Sequence, residues 1–117
     1  MFPSQHHKAL RRTLQRSYLE VIPAKGIKEK LAVLPQGAWV AITCSPTKPV
    51  EATLDLTEQL DNPGLRLIPH IAARMVRDRS HLKDILARLD AMQIHSIFVP
   101  GGDKDQPIGD YSSCLEL

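Results

Sequence analysis

Four residues of chemically useful types stand at corresponding places in this sequence, inside or directly after short apolar runs. Glu20 lies within the first run, Thr43 closes the second, His70 follows the third and Asp103 follows the fourth. Carboxyl and imidazole groups are the usual general acids and bases of enzymes. The pattern therefore predicts a site for acid–base or cofactor chemistry, provided that the fold brings these residues together.

The four runs have the composition of buried β-strands, and they cover Tyr18 to Ile22, Trp39 to Thr43, Leu65 to Pro69 and Ser96 to Pro100. Stretches with helical spacing lie between them, and this alternation favours a parallel sheet. The carboxyl ends of all strands in such a sheet point the same way. We therefore expect an α/β fold of parallel (β/α) units, with the polar residues converging on one face.

Helical spacing is clearest from Asp78 to Met92, where Asp78 or Ser80 can cap the start. Its apolar stripe consists of Leu82, Ile85, Leu86, Leu89 and Met92. A second helix is predicted from Val50 to Leu60 after Pro49, and a short, weak one from Ile27 to Leu34. Gly109 to Leu117 resembles the start of a further helix.

Composition excludes several classes of function. The 117 residues carry a net charge of only +2 and are 4% aromatic, so a basic surface with stacking platforms for nucleic acid is not expected. Cys44 and Cys114 form no CxxC or Cys/His cluster, which argues against a disulfide framework or a zinc site and favours a reducing, cytoplasmic setting. No apolar stretch reaches ~18 residues, so no membrane partner is expected.

The chain divides into a basic N-terminal extension, residues 1–17, and one domain, residues 18–117. The extension contains four cations and no acid, with Leu10 and Leu14 four residues apart. We interpret it as a basic helix leading into the first strand; a targeting peptide is the alternative.

Four strand–helix units leave an open sheet with two unpaired edges. A complete parallel barrel needs eight units and about 250 residues. We therefore expect the amino-terminal half of a TIM-type (β/α)8 barrel that is inactive alone and is completed by self-association or by a complementary chain. A small four-stranded open sheet is the competing interpretation.

Each polar residue also has an ordinary structural explanation. Glu20 can have a charged or hydrogen-bonding partner, or it can be exposed at a strand edge. His70 can cap the loop after Pro69, with the hydrogen bonds of its ring made within the protein. Pro100 to Asp103 is a common turn composition, and its two glycines fit neither GxGxxG nor the P-loop.

The combination is more specific than its parts. The segments YLEVIP (18–23), AIT (41–43), LIPHI (67–71) and FVPGGD (98–103) resemble, in order and spacing, the first four strand ends of the methylenetetrahydrofolate reductase family. The resemblance runs from about residue 18 to residue 117. It covers only the amino-terminal half of that family's barrel.

This resemblance implies a reductase that converts 5,10-methylenetetrahydrofolate to 5-methyltetrahydrofolate with electrons from NAD(P)H, usually through FAD. Glu20 then matches the general acid that protonates a folate nitrogen, a role that suits a carboxyl in an apolar setting. Asp103 matches the aspartate that favours the developing iminium cation. Thr43 and His70 match cofactor-contacting positions, and Gly102 matches the glycine that lets the backbone approach the flavin.

Two departures from the family pattern affect these expectations. Gly101 stands where the family commonly has arginine, and Cys44 where it commonly has tyrosine. Loss of the arginine removes a bidentate cation suited to a phosphorylated cofactor, so direct hydride transfer from a nicotinamide is one alternative. A tetrahydrofolate-dependent methyltransferase and a non-catalytic half-barrel binding or assembly module are the others.

Overall fold

The computed structural model describes residues 4–60 and 64–117 as one parallel sheet with helices. Residues 1–3 of the N-terminal extension lie outside this description. The elements in chain order are α1 (Gln5–Arg16), β1 (Tyr18–Val21), α2 (Ile27–Leu31), β2 (Ala38–Ile42), α3 (Glu51–Leu60), β3 (Leu65–Pro69), a 3-10 turn (Ala73–Met75) and α4 (Arg79–Ala91). Within the described residues, no helix has the length and apolar character needed to cross a membrane.

The three strands confirm the predicted α/β class. They pair in the order β1-β2-β3, and both pairings are parallel. Tyr18 lies beside Trp39 and Trp39 beside Arg66, so equivalent residues stand at the same level across the sheet. The first two strands each end one residue earlier than predicted, whereas the third has the predicted bounds.

One face of the sheet is covered by helices. Alternate strand residues point to that face and are buried with apolar residues of α2 and α3, in a cluster of Val21, Val40, Ile42, Leu67, Leu31, Leu56 and Leu60. Burying side chains of this size stabilises the fold by about 1.5–3 kcal/mol each. The other alternate residues, beginning with Tyr18 and Glu20 on β1, point to the opposite face, where Tyr18 remains 59% exposed.

A second cluster joins α3, α4 and the 3-10 turn. It contains Val50, Leu54, Ile71, Ala72, Met75, Val76, Ile85, Leu89 and Met92. Of the two predicted caps of α4, the structure has Asp78, whose carboxylate accepts the backbone N–H of His81 at 2.8 Å. This cluster fixes the segment that follows β3, from which the pocket described below is partly built.

The predicted fourth strand forms only a single parallel bridge, between His70 and Phe98. Phe98 donates its N–H to the carbonyl of Pro69 at 3.1 Å, and Ile71 donates to the carbonyl of Phe98 at 2.9 Å. Beyond Ile71 the partner backbone bends into the 3-10 turn, and only irregular bonds continue, such as that from the N–H of Ala73 to the carbonyl of Pro100 at 2.9 Å. The prediction of a full strand from Ser96 to Pro100 was wrong, because the bend ends the ladder on the Pro100 side and Ser96 and Ile97 form no bridge to β3.

The expected helix from Gly109 to Leu117 is also absent. Backbone amides in this region bind elsewhere: Ile108 donates to the carbonyl of Arg74 and Asp110 to that of Arg77, each at 2.9 Å. The Glu116 carboxylate accepts N–H groups of Ser112 and Ser113, and these bonds lower the pKa of Glu116. Hydrogen bonds to distant carbonyls and to the Glu116 side chain therefore take the place of the backbone hydrogen bonds of a helix.

Gly109 packs so closely on Arg77 that a side chain would overlap the Arg77 carbonyl. We predict that Gly109→Ala displaces the backbone there, weakens the bond from Asp110 to Arg77 and destabilises the fold by about 1–3 kcal/mol. Gly101→Ala is the matched control, because nothing lies within 4 Å of the Cβ that it would add. Urea unfolding of both variants measures the difference, and equal midpoints would contradict this packing.

Candidate functional site

A cavity of about 500 Å³ lies on the uncovered face, at the carboxyl ends of the strands. All five residues that the sequence analysis singled out line it: Glu20, Thr43, His70, Gly102 and Asp103. Its other lining residues are Tyr18, Ala41, Cys44, Pro46, Ile68, Ala72, Met75, Ser96, Ile97, Phe98 and Pro100. The structure therefore brings together residues that are up to 83 positions apart, from Glu20 to Asp103.

Backbone hydrogen bonds between neighbouring strand ends bring about this convergence. Glu20 is in register with Ala41. Thr43 donates its N–H to the carbonyl of Val21, and His70 donates to that of Ile42, each at 2.8 Å. Each strand is thus tied to the end of the previous one, and the polar residues line up along one edge of the sheet.

His70 is the most enclosed polar side chain of the site, with 7% exposure. Its ring meets the ring of Phe98 edge to face, with centroids 4.9 Å apart. Burial lowers the pKa of His70, and the negative charge of Glu20 only partly opposes this. The imidazole is therefore neutral at pH 7 and offers one donor and one acceptor to a ligand.

Cys44 connects the ends of β2 and β3, a role that the sequence analysis missed. Its thiol donates to the carbonyl of His70 at 3.0 Å, and the hydroxyl of Thr53 lies 3.7 Å from its sulfur. Burial raises the pKa of Cys44, so the group stays a thiol rather than a reactive thiolate. Cys44 thus holds the backbone of His70 in place, and no sequence signal pointed to this contact.

The two carboxylates of the site are both exposed. The resemblance implied an apolar setting for Glu20, but the structure shows the other alternative, exposure at a strand edge, because β1 is the edge strand and the side chain points to the uncovered face. Asp103 is exposed as well, on the loop that follows Pro100. Both carboxylates therefore line the open cavity and are accessible to a ligand that enters it.

Gly102 is required by the protein's own packing. Its φ is +103°, a conformation that favours glycine, and an added Cβ would lie 2.9 Å from the Cβ of Ala72. Ala72 therefore occupies the space that a side chain would need. The glycine sets the direction of the loop that carries Asp103.

Arg74 anchors both ends of that loop and was not identified from the sequence. Its backbone N–H donates to Gly101 and its carbonyl accepts from Ile108. Its guanidinium donates to the carbonyls of Lys104 and Ser112, at 3.0 and 2.9 Å. The two guanidinium bonds join residues about thirty or more positions apart, so no local sequence pattern predicts them.

No protein-family model matches this chain. The described residues also contain no group of three or more His, Cys, Asp or Glu side chains arranged to hold a metal ion. The site is thus defined by its geometry and chemistry: an open cavity with a neutral imidazole, a thiol, two carboxylates and an aromatic wall.

We predict that Arg74→Ala loosens the loop from Gly101 to Ser112 and costs about 1–3 kcal/mol of local stability, because the partly buried bond to the Lys104 carbonyl and the exposed bond to the Ser112 carbonyl both lose a charged donor. Native-state hydrogen exchange at the amides of Ile108 and Asp110 is the measurement, and both should exchange faster. Arg79→Ala, which removes an exposed guanidinium from α4, serves as the control. Equal exchange in both variants would show that Arg74 does not anchor the loop.

The lowered pKa of His70 links stability to pH. The imidazole of His70 binds a proton more readily in the unfolded chain than in the folded one. The stability that comes from burying the neutral ring is therefore fully present above the unfolded pKa of about 6.5, and it is lost as pH falls through the lower pKa of the folded state. We predict that the free energy of unfolding decreases between pH 7 and pH 5, and that His70→Asn flattens this slope. The exposed His95 provides the control variant, His95→Asn. An unchanged slope in His70→Asn would contradict the assignment.

Proposed function

We propose that this chain is the amino-terminal half of a methylenetetrahydrofolate reductase-like (β/α)8 barrel and that its cavity binds the pterin of a folate. The observation that supports this best is the convergence of Glu20, Thr43, His70, Gly102 and Asp103 on one cavity at the carboxyl ends of parallel strands. Barrel enzymes of this type place their sites at that end. The motif resemblance assigns the same five residues to one site.

The uncovered sheet face supports the half-barrel part of the proposal. In a closed parallel barrel, helices cover the outside and the other face lines the interior. Here α2 and α3 pack on one face only, while Tyr18, Ile97 and Phe98 remain 39–59% exposed around the cavity. A second copy or a complementary chain that paired with the sheet edges would cover these side chains.

The cavity has the size and lining for a flat heterocycle. Ligand sites usually enclose about 300–1,000 Å³ and combine apolar walls with a few polar groups. Phe98, Met75 and Ile68 supply apolar contact, and the neutral His70 supplies a hydrogen-bonding partner. A pterin ring offers flat faces and edge donors and acceptors that match this combination.

Glu20 and Asp103 carry the proposed chemistry. The protonated carboxyl of Glu20 gives its proton to a nitrogen of the five-membered ring of 5,10-methylenetetrahydrofolate, and the carbon–nitrogen bond breaks to leave an iminium cation. Asp103 stabilises that positive charge. Hydride then adds to the methylene carbon and gives 5-methyltetrahydrofolate. Closure of the barrel over the cavity would exclude water from the reacting groups.

The lining residues do not fit FAD. None of them is a lysine or an arginine, and two are carboxylates, so a pyrophosphate would meet negative rather than positive charge. Gly102, the position that matches the family's flavin contact, already packs on Ala72. We therefore derive no step through flavin. The proposal keeps NAD(P)H as the source of hydride, with its pyrophosphate outside this cavity, and keeps a reducing cytoplasmic setting, in which Cys44 remains a thiol.

A non-catalytic binding or assembly module is the second candidate function. The exposure of Glu20 favours it, because the described chain lacks the apolar enclosure that the resemblance implies for the general acid. In this case the cavity would still bind folate, but replacement of Glu20 would have no effect on any reaction.

The test combines calorimetric binding of 5-methyltetrahydrofolate with NAD(P)H oxidation in the presence of 5,10-methylenetetrahydrofolate. We predict saturable binding to the folded chain and, in the closed assembly, a loss of about 10²–10⁴-fold in turnover for Glu20→Gln with affinity changed less than threefold. Glu29→Gln, an exposed carboxyl on α2, is the matched control.

The outcomes separate the candidates. Binding with turnover that depends on Glu20 supports the reductase. Binding without any reduction overturns the reductase and leaves the binding module. Absence of binding to a chain that circular dichroism shows to be folded overturns the reductase and any folate-binding module.

A further inference from the structure

The helix α1 buries none of its residues in the described structure, and only its end, at Leu14 and Gln15, borders a cavity that Leu34 and Trp39 also line. All of its residues are exposed, including Leu10 at 55% and Leu14 at 64%. Its N-terminus is capped by Ser4, whose hydroxyl accepts the N–H of His7. A helix of 12 residues is marginal in water without tertiary contacts, so this segment needs an external surface to remain helical.

The charges of α1 further destabilise the isolated helix. The helix contains Lys8, Arg11, Arg12 and Arg16 and no acidic residue. Lys8 and Arg12 are four residues apart, as are Arg12 and Arg16, and like charges at this spacing destabilise a helix. A surface with negative charge would relieve this repulsion.

The cations and leucines lie on different sides of α1. At about 100° per residue, the four basic side chains occupy one arc and the two leucines lie roughly opposite its centre. Such separation of basic and apolar side chains is typical of helices that lie in the plane of a bilayer surface. Their leucines enter the hydrocarbon boundary while their cations contact phosphate groups.

We propose that α1 is a docking helix for the surface of an anionic lipid bilayer. The sequence-based expectation of no membrane partner rested on the lack of a spanning stretch, which surface binding does not require. Nucleic acid is a weaker match because α1 has no Phe, Tyr or Trp for stacking and its leucines would have no role. A second copy would bring two helices of the same positive charge together. This proposal does not depend on the folate proposal.

The test measures co-sedimentation of the full chain with vesicles of phosphatidylcholine containing 30% phosphatidylserine, and with phosphatidylcholine alone. We expect binding only to the anionic vesicles, with at least a tenfold loss in 0.5 M salt. Arg11→Gln/Arg12→Gln and, separately, Leu10→Ser/Leu14→Ser should each weaken binding about tenfold or more. Lys28→Gln/Lys30→Gln removes equal charge from α2 and should bind as the wild type does.

Three results would overturn the proposal: no binding to anionic vesicles, an equal loss in the α2 control, or a leucine variant that binds like the wild type. The last result, together with salt-sensitive binding to duplex DNA, would assign the cations to nucleic acid instead. Because every substituted side chain is exposed, circular dichroism should report an intact sheet domain in each variant.

Discussion

Parallel pairing of β1, β2 and β3 is the constraint on which the rest of the structure depends. Parallel strands need helical crossovers, and these crossovers place α2 and α3 over one face of the sheet. The same pairing aligns all carboxyl ends at one edge. The cavity therefore forms where the uncovered face meets that edge, and its polar residues come from distant parts of the chain.

The chemistry of the cavity is set mainly by local burial and by a few long-range hydrogen bonds. His70 is neutral because it is enclosed, and the thiol of Cys44 holds its backbone from the neighbouring strand. Arg74 fixes the loop that brings Asp103 to the rim. The lining residues include no lysine or arginine, so a pyrophosphate group placed among them would find no cationic partner.

Much of this arrangement could be predicted from local patterns. The third apolar run predicted the bounds of β3. The apolar stripe from Asp78 to Met92 predicted α4 to within one residue at each end. Convergence of the polar residues followed from parallel topology alone. The C-terminal region could not be predicted, because the bonds from Ile108 and Asp110 to the carbonyls of Arg74 and Arg77, in the segment before α4, replace a helix that local spacing favours.

The predicted fourth strand and the surroundings of Glu20 depended on features beyond local pattern. An apolar run becomes a strand only where a straight partner is present, and the 3-10 turn after β3 removes that partner from Val99 and Pro100. Glu20 lies in an apolar run, yet its exposure is decided by whether another element covers an edge strand. The residues of the run alone do not show whether another element covers β1.

The most direct test of the central claim is a titration of the isotope-labelled chain with 5-methyltetrahydrofolate, followed by backbone amide NMR shifts. The account predicts saturable changes centred on Thr43, His70 and Gly102, with the outer faces of α3 and α4 unaffected. Changes confined to the helical side, or none in a spectrum of a folded protein, would contradict the claim that the uncovered end of the sheet is a folate site.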